Sequence, residues 1–305
     1  MDYTRAEILG GGAGKGLHYT AYIKAKEDLH LTDSDLGDRS LKYGTSIGSM
    51  FAAGLSEGIS SEDIRKIVLE NKKIIDSLFR PKWIFENAGL SDFRDLEKIV
   101  REIVGSKKMK DMPDLNIMGT DRNSMESVLI NYENFPDVHV YEAILASSAI
   151  APLFPPRTIG KDENKIRVVD GGYSNGLPLD IVVKNESIKE IICTDLMAVS
   201  KSRPIPETRN IFDNYSLLTI HSGTEKIRQI FAILGMDYEK AINDVVLQIP
   251  GTEKLLCYVT PNINFRHLFK MSIKDFEELS KDGSDFTEAL QKFEKFKKRK
   301  GKIAS

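Results

Sequence analysis

Short apolar segments that favour strands alternate with amphipathic helical segments through the first two hundred residues. Residues 6–9 predict a strand that enters a glycine cluster and then a helix ending near Lys26. A second strand is predicted at residues 40–43, followed by a glycine-framed turn and a helix over residues 49–55. Later strands are predicted at residues 115–118, 128–132, 166–169 and 188–194, with a small-residue helix over 141–150. This alternation is typical of an α/β fold.

Two other stretches are predominantly helical. Ser60 caps an amphipathic helix bearing Ile64, Ile67 and Val68, and residues 92–104 repeat its period, so residues 60–110 are predicted as a helical insertion between sheet elements. The C-terminal part predicts helices at residues 211–235 and 238–247, a strand at 255–260 and one last helix at 275–299.

The chain shows neither an internal repeat nor a linker-like composition, and we expect a single domain over residues 1–305. A catalytic core is expected at about residues 6–200, a variable part at about 201–280, and a basic terminal helix at about 281–305. Apolar residues make up 41% of the chain, which suits a substantial core and excludes disorder as its main property.

Composition also restricts the cellular setting. The chain has two cysteines, too few for a disulfide framework, and no apolar stretch long enough for a membrane span. Its first residues lack the features of a cleavable secretory signal. The sequence therefore predicts a cytoplasmic protein, with a peripheral membrane location and export by a specialised secretion route as alternatives.

Charge is unevenly distributed. The formal net charge of -2 argues against a nucleic-acid partner. Residues 291–302, however, hold seven basic groups and one acidic group, while Phe286, Leu290, Phe293 and Phe296 fall at helical spacing in the same region. Two interpretations stay open: a basic amphipathic helix over residues 284–302 that contacts an anionic membrane, or a terminal helix docked on the core with solvated lysines.

A G-x-S-x-G motif spans Gly44 to Gly48 and places Ser46 at a predicted strand-to-helix turn. Small flanking residues permit the sharp turn on which a nucleophilic serine sits, at a helix N-terminus that favours a developing anion. The motif is short and arises easily by chance, and Ser46 as a simple helix cap is the alternative.

The glycine cluster after the first strand has three interpretations. The spacing fails a Walker A loop, because Leu9 stands where glycine is required and Gly16 replaces the Ser or Thr that binds Mg²⁺. It also fails the dinucleotide-binding pattern in register. The third interpretation is an oxyanion hole, in which backbone amides converge on a negatively charged oxygen. Its members would be Gly11, Gly12, Ala13 and Gly14.

A base for the serine is suggested by Asp170, which leaves a β-branched strand directly before Gly171 and Gly172. A carboxylate in that position can be held partly desolvated, which raises its basicity. An aspartate that only stabilises the turn is the alternative. None of the five histidines lies in a distinctive local sequence.

Four blocks in this order, at residues 9–16, 44–48, 146–155 and 170–178, resemble the patatin-like phospholipase family. The resemblance covers about residues 6–200 and implies a three-layer sandwich with a central, mostly parallel sheet flanked by helices. It also implies a lipid acyl hydrolase in which Ser46 is the nucleophile, Asp170 is the general base, and the glycine loop is the oxyanion hole. In this family the block at residues 146–155 is a core helix and turn beside the site, so we assign it a supporting role.

The same resemblance assigns the remaining site residues. Gly44 and Gly48 would frame the nucleophile, and Lys15, Gly171 and Gly172 would support the site. No metal or cofactor is required, and the substrate would be a membrane phospholipid or another acyl lipid. Bacterial members commonly have Gly-Gly-Gly-Gly-Ala-Lys-Gly, so Ala13 stands where glycine is usual. We expect a strained loop if that residue adopts positive φ.

Three alternatives to this function remain. An α/β-hydrolase triad could use His221 or His267, which both follow Asp170 in the chain. A non-catalytic lipid-binding or interaction module could keep the same fold. A nucleotide-binding protein is the third alternative and would be stabilised by ATP.

Overall fold

A computed structural model describes residues 3–73, 94–150, 154–198, 223–263, 273–280 and 283–303. In these ranges nine strands form one mixed sheet in the order β5-β6-β3-β2-β1-β7-β9-β8, with β4 also pairing with β3. The strands are β1 Arg5–Leu9, β2 Leu41–Thr45, β3 Leu115–Asp121, β4 Ser127–Ile130, β5 Arg157–Ile159, β6 Ile166–Asp170, β7 Glu190–Thr194, β8 Val246–Gln248 and β9 Leu255–Val259.

Five neighbouring strands at the centre of the sheet, β3, β2, β1, β7 and β9, are parallel to one another. The outer pairings are antiparallel: β4 and β6 with β3, β5 with β6, and β8 with β9. The predicted parallel sheet therefore holds for the centre, while hairpin-type pairings close both edges.

Helices cover both faces of the sheet. In the described ranges the α-helices are α1 Tyr19–Asp28, α2 Asp33–Leu36, α3 Ile47–Glu57, α4 Ser61–Glu70, α5 Arg94–Val104, α6 Val140–Ser147, α7 Leu179–Lys184, α8 residues 223–233, α9 Tyr238–Asp244, α10 Ile273–Leu279 and α11 Ser284–Ile303. Short 3₁₀ helices occur at Ala13–His18, Met109–Asp111, Asp162–Asn164 and Gly171–Tyr173.

Two apolar cores result from the alternation of side chains along the buried strands. On one face, Leu9 packs in a cluster with residues of α1, α3, α4, α5, α6, α10 and α11. On the other face, Ile8 packs with residues of α7, α8 and α9. The arrangement is the predicted three-layer α/β sandwich, with the sheet between two layers of helices.

The C-terminal part differs from the prediction in two places. The predicted helix at 238–247 ends at Asp244, because Val245 has φ 63° and the next residues form β8 on the edge of β9. The predicted single helix at 275–299 is instead α10 and α11. Between them Gly283 passes close to α1, where an added Cβ would lie 3.1 Å from the Ala21 carbonyl oxygen.

The last helix is docked on the core. Phe286, Leu290 and Phe293 are buried in the same cluster as α1, and the Phe286 and Tyr22 rings lie 5.7 Å apart. Lys297 contacts the carboxylates of Glu190 and Glu294. The apolar side of α11 is therefore occupied by protein.

Candidate active site

Ser46 lies on the sharp turn between β2 and α3. Its backbone has φ 54° and ψ -129°, a region that is strained for a residue with a side chain. The flanking glycines make this turn possible. A Cβ on Gly44 would lie 2.7 Å from the Ser49 amide nitrogen, and one on Gly48 would lie 2.6 Å from the Gly10 carbonyl oxygen. Any larger residue at either position would push α3 away from the sheet.

Asp170, the last residue of β6, meets Ser46 through the register of three strands. It pairs with Gly119 on β3, and the adjacent Met118 pairs with Thr45 on β2. The Ser46 hydroxyl donates a hydrogen bond of 2.6 Å to Asp170 Oδ2. The other carboxylate oxygen accepts the Gly172 amide at 2.8 Å. Two residues separated by 124 positions in the sequence thus form one hydrogen-bonded pair.

Burial controls the acidity of this carboxyl. Asp170 is 5% exposed, and burial raises the pKa of its carboxyl to about 6, although the hydrogen bonds from Ser46 and the Gly172 amide favour the ionised form. The group is thus a stronger base than an exposed aspartate and still largely ionised near neutral pH.

The end of α6 holds both members of this pair in place. Ser147 Oγ accepts a hydrogen bond of 2.8 Å from the Ser46 amide and donates one of 2.6 Å to the Met118 carbonyl. Two residues later, the Ala149 carbonyl accepts the Asp170 amide at 3.1 Å. Sequence reasoning gave this segment a supporting role but did not identify the contacts. The available signal was a pair of serines at the end of a small-residue helix.

The glycine loop runs beside Ser46. A Cβ on Gly11 would lie 3.5 Å from Ser46 Cβ. Among the described residues, no hydrogen-bond acceptor is paired with the backbone amides of Gly12, Ala13 and Gly14. Ala13 adopts φ 44°, the positive value for which glycine is better suited. The loop therefore combines unpaired backbone donors with local strain.

Lys15 contacts the segment that follows β7. Its ammonium donates to the Leu196 carbonyl at 3.2 Å, and the side chain is buried. Burial lowers the pKa of Lys15 to about 8, against the opposing effect of the negative charge on Asp195. This contact ties the base of the glycine loop to the segment that follows β7.

Gly171 is also fixed by packing. A Cβ there would lie 2.9 Å from Thr45 Cγ2, so β6 can approach the end of β2 only with glycine at this position. The structure thus brings Gly11, Gly44, Gly48, Gly171 and Gly172 around Ser46 and Asp170.

Histidine does not contribute to this pair in the described part of the chain. No histidine nitrogen there is hydrogen-bonded to Ser46 or Asp170, and His139 Nδ1 pairs instead with the Ser106 carbonyl. His221 and His267 lie outside the described residues, as do residues 151–153 of the third sequence block and the start of the helix predicted at 211–235.

Neither a metal site nor a membrane-spanning helix occurs among the described residues. No three His, Cys, Asp or Glu side chains of the described ranges converge in a geometry that could hold a metal ion. No helix within those ranges combines the length and the apolar character that a membrane crossing requires.

The comparison with protein families agrees with this geometry. The model of the family described as patatin-like phospholipase matches residues 8–183, which is more than half of the chain. The chain therefore belongs to the patatin-like phospholipase family, and the resemblance inferred from the four sequence blocks is confirmed. Membership in this family supports the assignment of the protein as a lipid ester hydrolase.

Similar proteins include both bacterial and eukaryotic sequences. The uncharacterized protein YqhO of Bacillus subtilis is 25% identical over 232 residues, covering 69% of this chain and 77% of that protein. Patatin-like phospholipase domain-containing protein 6 of Homo sapiens is 26% identical over 197 residues, covering 63% of this chain but 13% of that protein. Lysophospholipase NTE1 of Candida glabrata is 25% identical over 92% of this chain and 15% of its own length.

Among solved structures, VipD from Legionella pneumophila covers 97% of this chain and 67% of its own length, with a TM-score of 0.49 and 14% identity. The type III effector ExoU covers 79% of this chain and 58% of its own, with a TM-score of 0.36 and 14% identity.

Proposed function

We propose that the protein is a lipid acyl hydrolase of the phospholipase A type, which cleaves fatty-acyl ester bonds of membrane phospholipids. The observation that carries this proposal is the 2.6 Å hydrogen bond from the Ser46 hydroxyl to the buried Asp170 carboxylate. Family membership and the name of the related lysophospholipase NTE1 support the choice of a lipid ester as substrate.

In the first half of the reaction, Ser46 Oγ attacks the ester carbonyl carbon while Asp170 takes the hydroxyl proton. The tetrahedral intermediate then collapses, the alcohol leaves with the proton held by Asp170, and the acyl group remains on Ser46. In the second half, a water molecule gives its proton to Asp170 and attacks the acyl carbonyl. Collapse of this intermediate releases the fatty acid and returns the proton to Ser46.

The negative charge of each intermediate requires hydrogen-bond donors. The amides of Gly12, Ala13 and Gly14, unpaired among the described residues, are the donors we propose for it. The Gly11 amide, also expected there from the sequence, instead donates to the Gly176 carbonyl at 3.4 Å. Removal of one such donor typically raises the barrier by about 3 kcal/mol. The positive φ of Ala13 then contributes to the proposed oxyanion hole, because it helps to turn successive amides toward one point.

Substitution of the dyad tests this proposal. Ser46→Ala and Asp170→Asn are each expected to lower kcat for phosphatidylcholine hydrolysis by at least a thousandfold, on the order of 4 kcal/mol of barrier. The assay identifies the released fatty acid and lysolipid by mass spectrometry, over a panel of phospholipids and neutral lipids.

The matched controls are His221→Ala and His267→Ala. Both variants should retain activity if the dyad works without histidine, whereas loss of activity in either would favour a triad of the α/β-hydrolase type. A fluorophosphonate probe should label wild-type protein and not the Ser46→Ala variant. A wild-type protein that binds lipid vesicles but resists the probe and hydrolyses no lipid would be a non-catalytic lipid-binding module.

We also propose a cytoplasmic protein that makes peripheral contact with anionic membranes. Because the apolar side of α11 is occupied by the core, such contact would be electrostatic and would use its exposed basic residues, which include Lys295, Lys298 and Arg299. The burial of Phe286, Leu290 and Phe293 supports the other interpretation of this segment, a terminal helix docked on the core with solvated lysines.

A further inference from the structure

Asp195, the residue directly after β7, has a buried carboxyl that the proposed reaction does not use. It is 3% exposed. One of its oxygens accepts the Tyr258 hydroxyl at 2.7 Å, and the other accepts the Met197 amide at 2.8 Å. Burial raises the pKa of the Asp195 carboxyl, although both hydrogen bonds favour its ionised form. A carboxyl is costly to bury, so its presence here requires an explanation beyond packing.

The partner of Asp195 comes from a strand far along the chain. Tyr258 lies near the end of β9 and pairs with Cys193 in the parallel ladder between β7 and β9. Its side chain is fully buried, and its ring packs edge-on against the rings of Phe231 and Tyr238. The packed ring holds the hydroxyl in one position, from which it reaches the first residue after the neighbouring strand.

The turn that Asp195 stabilises contacts the glycine loop at two points. The Leu196 carbonyl accepts the Lys15 ammonium at 3.2 Å. The Leu196 side chain lies against Gly12, where an added Cβ would be 3.2 Å from Leu196 Cβ. Leu196 therefore borders the part of the loop whose amides are the proposed oxyanion donors. The direction of those amides depends on where Leu196 lies.

The start of the glycine loop has a separate anchor. The Tyr19 hydroxyl donates to the Gly10 carbonyl at 2.8 Å, and the Gly10 amide donates to the Thr194 carbonyl at 3.2 Å. These bonds fix the residue at which the chain leaves β1. The contacts of Leu196 act further along the loop, beside the donors themselves.

We propose that the Tyr258–Asp195 pair positions the glycine loop to receive the oxyanion, acting through Leu196; the inference rests on the acyl hydrolase function proposed above. Tyr258 and Asp195 are positioning residues, because they act on the substrate only through the loop. Both lie outside residues 8–183, the part of the chain that the family model matches. The C-terminal part of the chain, expected to be variable, thus contributes to the proposed reaction.

Tyr258→Phe tests this role, because it removes the hydroxyl and keeps the buried ring. With a soluble p-nitrophenyl ester, kcat should fall roughly tenfold while KM stays within about twofold, since displaced donors weaken binding of the transition state more than binding of the substrate. Tyr238→Phe is the matched control, because it removes a hydroxyl from the same aromatic cluster. It should keep the wild-type kcat. Both variants are assayed well below their Tm.

Asp195→Asn tests the other member of the pair and keeps the size of the side chain. It should also lower kcat with little change in KM. The Tyr258→Phe/Asp195→Asn double variant should lose no more kcat than the more impaired single variant, because both substitutions break the same contact. Additive losses would show that the two residues act separately and would contradict the proposed pair.

A fatty-acyl trifluoromethyl ketone reports on the loop without turnover. Ser46 Oγ adds to its carbonyl carbon, Asp170 takes the hydroxyl proton, and the resulting oxyanion faces the glycine loop. The Ki of this inhibitor should rise in each variant by the factor by which kcat/KM falls. Variants that lower Tm but keep the wild-type kcat and Ki would overturn the inference, since Tyr258 and Asp195 would then serve only the stability of the core.

Failure of the wild-type protein both to hydrolyse an ester and to bind the ketone would instead contradict the proposed function. In that case amide hydrogen exchange, measured by mass spectrometry on a peptide containing residues 10–15, tests the loop. Exchange there should be at least about threefold faster in Tyr258→Phe than in Tyr238→Phe. Equal exchange in the two variants would overturn the inference.

Discussion

At the scale of single residues, Asp170 determines how the proposed reaction depends on pH. A general base acts in its ionised form, and the pKa of this carboxyl is raised to about 6 by burial. We expect kcat/KM to be constant above about pH 7 and to fall about tenfold for each pH unit below 6. A pH profile with a soluble ester substrate measures this directly.

A histidine base would give a similar profile, so the measurement is repeated on the His221→Ala/His267→Ala double variant. The profile should persist there, and a flat profile from pH 5 to 8 in the wild type would contradict the assignment.

The contribution of Asp170 to the stability of the fold depends on pH in the opposite direction. The raised pKa means that the folded state binds the proton more tightly, so the contribution of Asp170 is present below its ordinary pKa of 3.8 and is lost as the pH rises through about 6.

Ser46 and Asp170 could be singled out from the sequence because glycines flank both residues. Gly44 and Gly48 beside Ser46, and Gly171 after Asp170, are required by the close approach of backbone to backbone, and a Cβ on Gly172 would lie 3.0 Å from Asp170 Oδ1. The Ser147 contact could not be predicted in the same way. It joins residues 101 positions apart and depends on which side of α6 faces the turn.

At the scale of elements, the end of α6 positions the dyad, and Ser147→Ala tests that role. The substitution removes the acceptor of the Ser46 amide in a fully buried position, which typically costs about 1–3 kcal/mol of stability. Because the strained turn loses its anchor, kcat should fall about tenfold to a hundredfold with little change in KM. Steady-state kinetics and thermal unfolding are measured together.

Ser148→Ala is the matched control, since this neighbouring serine makes no hydrogen bond with Ser46. It should keep kcat within about twofold of the wild type. If Ser147→Ala lowered Tm but left kcat unchanged, the serine would be part of the core packing and would not position the nucleophile.

Helices and strands were predicted correctly where the local sequence determines them. Predictions failed where contacts with residues distant in the sequence determine the secondary structure. The helix after Ser60 has the capping box that its sequence indicates. In contrast, Val246 to Gln248 becomes a strand only because β9 offers an edge for pairing. The break between α10 and α11 likewise reflects the close approach of Gly283 to α1. Such non-local contacts leave no periodic signal in the chain.

At the scale of the whole molecule, basic residues are concentrated in the C-terminal helix of a chain whose net charge is -2. This distribution predicts membrane binding that weakens as salt is added. Residues 291–302 hold seven of the 43 basic residues of the chain. Reversing two exposed charges, Lys298→Glu and Arg299→Glu, should weaken binding to phosphatidylglycerol vesicles at least tenfold at low salt, since each basic group near an anionic surface contributes about 1 kcal/mol. Vesicle co-sedimentation measures the change.

The matched variant is Lys161→Glu with Lys165→Glu, which reverses two exposed lysines elsewhere on the surface. It should bind as the wild type does in the same vesicle assay. Equal losses in both variants would show a dependence on net charge alone, and no loss in either would favour a terminal helix that only closes the core.

The dyad joins two distant parts of the chain through a third, and this has a consequence for folding. Ser46 is in place only when β2 and α3 have formed, whereas Asp170 arrives with an antiparallel strand added beside β3, and Ser147 must bridge the two. Closing such long loops is slow compared with forming local helices. Recovery of esterase activity during refolding should therefore follow, and never precede, assembly of this half of the sheet. Esterase activity can thus be used to measure when folding is complete.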